Sequence, residues 1–428
     1  MLWRIGEPPI LFIVVLFQWS QASIKIFDAN FRGITLQEFY RGWTIDDAVW
    51  LSLIGILFLA VGIKLSLNGM KYRKGTDFME EVSQLSIKNI WYCYLVFSVT
   101  TLGMQDFLLA FSGTRQAFLV ILQLKWVIVY LLAISIIGQK RNYFLLTAVF
   151  MIELLIGVTG FFSTFQDVII VFILSYLTYI YIYTRKVVVI TLAAFVLLTS
   201  LLVVWSAVKA EYRDHISLGT GEQRAFVSTG ERLDKILSLV ASLDKESLIQ
   251  GIENFASRAA YVDYFARVIE FVPNHVPHED GAMWGSALYH VLTPRILFPD
   301  KAALELDTLT TERYTGYQLV LQGGSYTNVP LGYMTESYID FGPVYMFLPI
   351  LGLGLVIGVI YRNLTHLSGS IVFGYGASIA VLMGARQLEM TSTKLIGGLL
   401  MGFIIMALVQ KLLFPKLARA LSVKERAA

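Results

Sequence analysis

Ten stretches of this chain are apolar for long enough to cross a hydrocarbon layer of about 30 Å, which takes roughly 20 residues of helix. They fall near 7–28, 46–66, 89–112, 117–138, 143–161, 165–183, 187–208, 343–361, 370–387 and 394–414. In lipid, a backbone N–H or C=O must find its partner within a helix or a closed barrel. These runs lack the strand-like alternation of a barrel, so the expected fold class is an all-α polytopic membrane protein with about ten transmembrane helices. The charge content agrees: 15% of the 428 residues are charged and 56% are hydrophobic, too few charges for a water-soluble chain of this size.

The linkers set orientation, because Lys and Arg near span ends concentrate on the cytoplasmic side. With the amino terminus inside, "KYRK" (71–74), "QKR" (139–141), "TRK" (184–186), Arg362 and the tail residues Lys411, Lys416, Arg419, Lys424 and Arg426 all fall inside. Both termini are then cytoplasmic. One linker is far longer than the rest, and it divides the chain into spans one to seven (1–208), an extracytoplasmic loop domain (209–342), and spans eight to ten with a cytoplasmic tail (343–428). Ser228 and Glu231 make a capping box ahead of Leu233, Ile236, Leu237 and Val240 at helical spacing. A second helix is expected from Lys245 to Val272, ending at Pro273. The loop domain therefore reads as mostly helical.

Net charge is only +3 and the basic residues are dispersed among short loops, which argues against nucleic acid as a partner. Cys93 is the single cysteine, so neither an internal disulfide nor a cysteine metal site can form. His275 and His278 stand in a proline-broken loop rather than on one helix face, and no metal or other cofactor is expected.

Ionisable groups inside spans are functional candidates by default. Lys125 and Glu153 are the clearest, and two readings stand side by side: a mutual pair between neighbouring spans, or a Lys125 that binds an anionic head group. Gln105, Asp106, Arg115, Gln166, Asp167, Arg386 and Glu389 come to one depth near the outer leaflet, with Arg386 the binding candidate among them. In the loop domain, Arg258 shares a helix face with the apolar Phe255, Val262, Phe265 and Ile269, a setting that calls for an anionic partner. Arg267, with Asp263 at i−4 and Glu270 at i+3, reads as an ordinary solvated pair.

"TPRILFPDK" (293–301) cannot be a regular helix because of Pro294 and Pro299. Its apolar Ile296, Leu297 and Phe298 suit the head-group boundary, and the flanking Arg295 and Lys301 suit a lipid phosphate or pyrophosphate. Further on, Glu336 and Asp340 stand at i,i+4 just above span eight, where partial burial could raise a carboxyl towards general-base range. Gly354 and Gly358 in "GLGLVIG" read as close helix packing within a span.

With these residues assembled, the chain resembles the Wzy-type oligosaccharide repeat-unit polymerases of O-antigen and exopolysaccharide synthesis, and the related O-antigen ligases. The resemblance rests on "GFFSTFQD" (160–167), "TPRILFPDK" and "GSYTNVPLGYMTESYIDFG" (324–342), together with the large outer loop between late spans. Relatives often carry a basic residue after "FFS"; this chain has Gln166 and Asp167 instead. The resemblance implies a GT-C-like arrangement in the bacterial inner membrane and a glycosyltransferase whose donor is an undecaprenyl-pyrophosphate-linked oligosaccharide. A chain-length regulator and a flippase are the implied accessory partners, beside membrane lipid. It also implies an outer-domain Arg and His, for which Arg295 and His290 are the nearest matches. On this reading Arg258, Arg295 and Lys301 hold the pyrophosphate, and Glu336 or His290 takes the proton of the acceptor hydroxyl. A ligase that hands the glycan to another acceptor, and a transporter of lipid-linked oligosaccharide, are the alternatives.

Overall fold

Each of the ten apolar stretches contains a helix; the first of these helices ends at Gly33 in the left-handed region, and Gly160 closes the helix of the fifth. The computed structural model describes residues 2–422 apart from 41, 43, 71–74, 111–114, 162–163, 180–183, 221–224, 260, 295–296, 299, 320–327 and 368; side chains at 39, 75–76, 102–110, 115–117 and 256–259 are also outside the description. In chain order the helices are α1 Ile10–Arg32, α2 Leu36–Tyr40, α3 Thr44–Ser66, α4 Gly75–Gln84, α5 Ile87–Ala110, α6 Arg115–Gln139, α7 Tyr143–Thr159, α8 Phe165–Thr178 and α9 Arg185–Ile216. There follow α10 Thr229–Ala241, α11 Lys245–Ala259, α12 Val262–Phe271, α13 Ala282–Leu292, α14 Asp307–Thr315 and α15 Tyr333–Tyr345. The chain closes with α16 Phe347–Leu367, α17 Ile371–Leu382, α18 Ser392–Leu412 and α19 Phe414–Leu421. No strand occurs among the described residues.

Among those residues, six helices (α1, α3, α6, α9, α16 and α18) are long and apolar enough to cross a membrane, which makes this a multi-pass membrane protein. Helices α7, α8 and α17 are shorter but equally apolar. The most enclosed of the six is α6, against which α4, α5, α7, α8, α17 and α18 all pack, whereas α9 presents most of its surface outward.

Helices α3 and α16 make the closest pairing. A Cβ on Gly354 would stand 3.1 Å from the Cα of Gly62 and close upon the carbonyl of Leu59, and one on Gly358 would lie 2.8 Å from the carbonyl of Ile63. Without side chains at these points the two backbones touch, as small residues permit in lipid, where dispersion and shape rather than water exclusion drive association.

Two short amphipathic helices finish the end of the bundle where α18 leaves it. On α4, Phe78 and Val82 are buried, and Glu81 accepts from Ser370 Oγ (2.7 Å) and from the N–H groups of Ile371 (3.1 Å) and Val372 (3.2 Å). A carboxylate borrowed from another element thus caps α17. On α19, Phe414 and Leu421 face inward while Lys416 and Arg419 are exposed.

At the other end, α10 to α15 gather over the ends of α1, α3, α9 and α18. One half of the capping box is present, with Ser228 Oγ accepting from the Glu231 N–H at 3.3 Å, while the Glu231 carboxylate lies 3.5 Å from His215 Nε2. The single helix expected from Lys245 to Val272 is instead two, because α11 lies along α9 and α1 while α12 turns onto α3. Each half follows its own partner, and tertiary packing outweighs the continuous helical pattern.

Candidate functional site

Helix α15 is buried from Tyr333 through Asp340. Its start is fixed by Gly332 at φ +81°, where a Cβ would collide with Leu388 O (2.5 Å) and the Tyr261 ring (2.6 Å). The first turn's free N–H groups find partners outside the helix: Tyr333 N donates to Met390 O (2.9 Å) and Thr335 N to Tyr261 Oη (2.8 Å). The Tyr333 hydroxyl donates to Gln18 Oε1 (2.7 Å), and Gln18 Nε2 to Ala385 O (2.7 Å), so α1, α15 and the segment before α18 are laced together. Gly342 at φ +67° and Pro343 then break the helix before the next span begins.

The two carboxylates of α15 meet different fates. Asp340 accepts from Met283 N (3.0 Å) and Trp284 N (2.8 Å), so both of its oxygens cap the start of α13. Burial raises its carboxyl above the usual range, and those two bonds pull it back. Glu336, only 5% exposed, accepts from Ser392 N at 2.7 Å, at the first turn of α18. Burial pushes the Glu336 carboxyl up to about 7; the Ser392 bonds oppose the shift, and the charges of Asp307 and Asp340 add to it.

Glu336 is at the wall of a cleft of about 280 Å³ between α13, α14 and the "TSTK" turn (391–394) that opens α18. Lys394 pairs with Asp307 across it; Arg313 Nη2 bonds Glu305 Oε1 at 2.7 Å, and the Tyr314 hydroxyl donates to Glu279 Oε1 at 2.8 Å. Four carboxylates (Glu279, Glu305, Asp307 and Glu336) face two cations, with Ser286, Thr310 and Thr393 hydroxyls between them. Such a lining offers hydroxyl donors and acceptors to a polar, uncharged ligand, and gives it one carboxyl poised to exchange a proton near neutrality.

Of the described residues singled out from sequence, Glu336 alone lines this cleft. His290 lies on α13 one turn beyond Ser286, on the same face, but outside the lining. The Lys301 ammonium donates to the carbonyls of Thr293 (2.9 Å) and His290, closing the carboxyl end of α13. Arg386, 6% exposed, bonds Asp167 Oδ1 at 2.5 Å and Met383 O at 2.6 Å, away from the cleft. Of the two readings for Lys125, the mutual pair is present: its ammonium bonds Glu153 Oε2 at 2.7 Å, and the Tyr94 hydroxyl takes Oε1 at 2.7 Å. Residue 295 and the side chains of Arg258, Gln105, Asp106 and Arg115 lie outside the described residues. Arg267 does pair with Glu270 at 2.9 Å, but Asp263 departs from the expected i,i+4 contact because Lys25 of α1 claims it at 2.9 Å.

Sequence reasoning missed Lys394, Asp307, Arg313 and Tyr314. The signal available was the "TSTK" run itself, a polar turn ahead of a span, which marks a helix start but not what faces it.

Residues 43–418 match the model of a family described as a domain of unknown function (DUF8712). No curated protein and no solved structure matches the chain.

Proposed function

The chain belongs to that family, and on the chemistry of the cleft we propose that it is a polysaccharide polymerase joining undecaprenyl-pyrophosphate-linked oligosaccharide units at the outer face of a bacterial inner membrane. All ten apolar helices cross in this reading, the termini are cytoplasmic, and the α10–α15 cap is extracytoplasmic. A hydroxyl of the acceptor glycan attacks the anomeric carbon of the donor; a C–O bond forms there as the bond to the pyrophosphate oxygen breaks. Glu336 takes the hydroxyl proton, and the lipid pyrophosphate leaves with the bonding electrons. Lys301, beyond the carboxyl end of α13, and Arg295 from the same stretch of sequence are the basic groups assigned to the departing pyrophosphate, where fixed cations contribute most.

The observation that carries this reading is Glu336: a carboxyl raised to about 7 at the wall of a polar cleft, matched to a general base working near neutral pH. The ionised form is the one that accepts the proton, and the amino end of α18 stabilises it.

The test is elongation by purified protein in lipid vesicles supplied with lipid-linked repeat units. The wild type gives a ladder of longer lipid-linked products. Glu336→Gln loses about 10²–10⁴-fold in rate, the usual contribution of general-base catalysis. An unchanged rate in that variant sinks the assignment. Transfer only after a second acceptor is added would make the protein a ligase, and movement of lipid-linked sugar across the bilayer at constant chain length would make it a transporter.

A further inference from the structure

A second group of polar and aromatic side chains stands beyond the carboxyl end of α14, apart from the Glu336 cleft. Tyr317 is 41% exposed, and its ring is held from several sides. Gly316, at φ +70° and packed against Phe271, turns the chain out of α14. Tyr317 N donates to Thr315 Oγ1 (3.2 Å), the Arg267 guanidinium lies 5.3 Å from the ring centre, and Tyr264 meets it edge-on at 6.4 Å. Arg267 is itself fixed by Thr315 O (2.8 Å) and Glu270 (2.9 Å). A Cβ on Gly42 would stand 3.1 Å from Glu270 Oε1 and 3.4 Å from the Tyr40 ring, which puts that ring beside the Glu270 carboxylate. Asp263 bonds Lys25 at 2.9 Å through Oδ2 and keeps about a third of its side chain exposed beside this group.

We propose that Tyr317, Tyr264 and Tyr40, with Asp263 and Arg267, form a distal carbohydrate subsite that holds neutral sugar rings of the glycan chain. This rests on the polymerase reading of the cleft. A pyranose has a face of C–H groups and a rim of hydroxyls; the first packs on a flat ring, and the second donates to carboxylates and accepts from a guanidinium. The charges of Lys25 and Arg267 are balanced by Asp263 and Glu270, so an ion of either sign meets a like charge here, whereas an uncharged polyol does not. The platform is already rigid, so little side-chain freedom is lost when a sugar settles on it.

Position supports the same assignment. Tyr314 lines the cleft and Tyr317 is three residues on, so the two are no more than roughly 10 Å apart along the backbone. A chain with one end beside Glu336 can pass the end of α14 and lie across Tyr317. Retention there keeps the product attached between additions.

The experiment is the vesicle elongation assay, read as the ratio of long to short products. Tyr317→Ala lowers that ratio roughly tenfold, the factor carried by about 1.4 kcal/mol of lost ring contact. Tyr317→Phe, which keeps the ring, restores the wild-type ratio. If Tyr317→Ala fails to accumulate as folded protein, Tyr317→Leu fills the space without a flat face and gives the same loss. A wild-type ratio from a folded Ala or Leu variant overturns the subsite while leaving the polymerase reading intact, and so does a Phe variant as poor as the Ala one, since the hydroxyl rather than the ring would then be responsible. Absence of any ladder from the wild type overturns the polymerase reading, and the subsite with it.

Discussion

The backbone N–H of Ser392 donates to the Glu336 carboxylate at 2.7 Å, so the first turn of α18 and the middle of α15 meet at one buried oxygen. Each fixes the other: the helix start gains an acceptor for a group it cannot satisfy internally, and the carboxylate gains a donor inside low-dielectric surroundings.

That contact makes the protein respond to pH in two opposite ways. Burial raises the Glu336 carboxyl from 4.5 to about 7, so the folded state binds its proton more tightly than the unfolded chain. Between those two values stability falls as pH rises, because the folded state must hold or expel a charge that the unfolded chain carries at no penalty; above about 7 this contribution is flat. Elongation runs the other way and climbs as Glu336 ionises through about pH 7. Glu336→Gln should flatten the stability change in this window. Thermal melts and rates across pH 5 to 8, on wild type and variant, check both slopes.

Lys125 and Glu153 should behave as a unit. Glu153 is 1% exposed, and removing its cation leaves a charge that lipid and protein cannot solvate. Lys125→Met is expected to cost about 3–5 kcal/mol, whereas Lys125→Met with Glu153→Leu recovers most of that loss. Chemical denaturation in detergent micelles measures it. Equal losses in the single and double variants would show that the pair contributes little.

The touching backbones of α3 and α16 give a third expectation. Gly354→Val places two methyl groups where Leu59 O and Gly62 Cα already stand, so the helices must separate. The cost is about 1–3 kcal/mol or more, seen as a lower melting temperature. Gly352→Val, where a Cβ meets nothing within 4 Å, is the control and should be near neutral.

The six long apolar helices were legible because lipid imposes a length and a composition on any crossing helix, and the Gly354 and Gly358 spacing carried its packing role openly. Glu336 could also be found, since a carboxylate just ahead of a span is unusual enough to mark. Lys394, Asp307 and Arg313 could not, because nothing local records that α14 and the start of α18, separated by most of 80 residues, close on the same space. The division into α11 and α12 was hidden for a related reason: the helical pattern of the sequence runs on without interruption, and only the partners change. Lys125 illustrates the converse, a charge whose sequence setting permitted two roles and whose partner was decided by which helix lies beside it.

Gly342 kinks α15 near its carboxyl end, at a backbone angle that residues with a Cβ seldom adopt, with His278 Nε2 only 3.4 Å from where such an atom would stand. Glu336 and Asp340 therefore ride on one helical segment that ends at this kink. Any displacement of that segment moves the proton acceptor and the seat of α13 together, and no repair made at either carboxylate alone would return the other to its place.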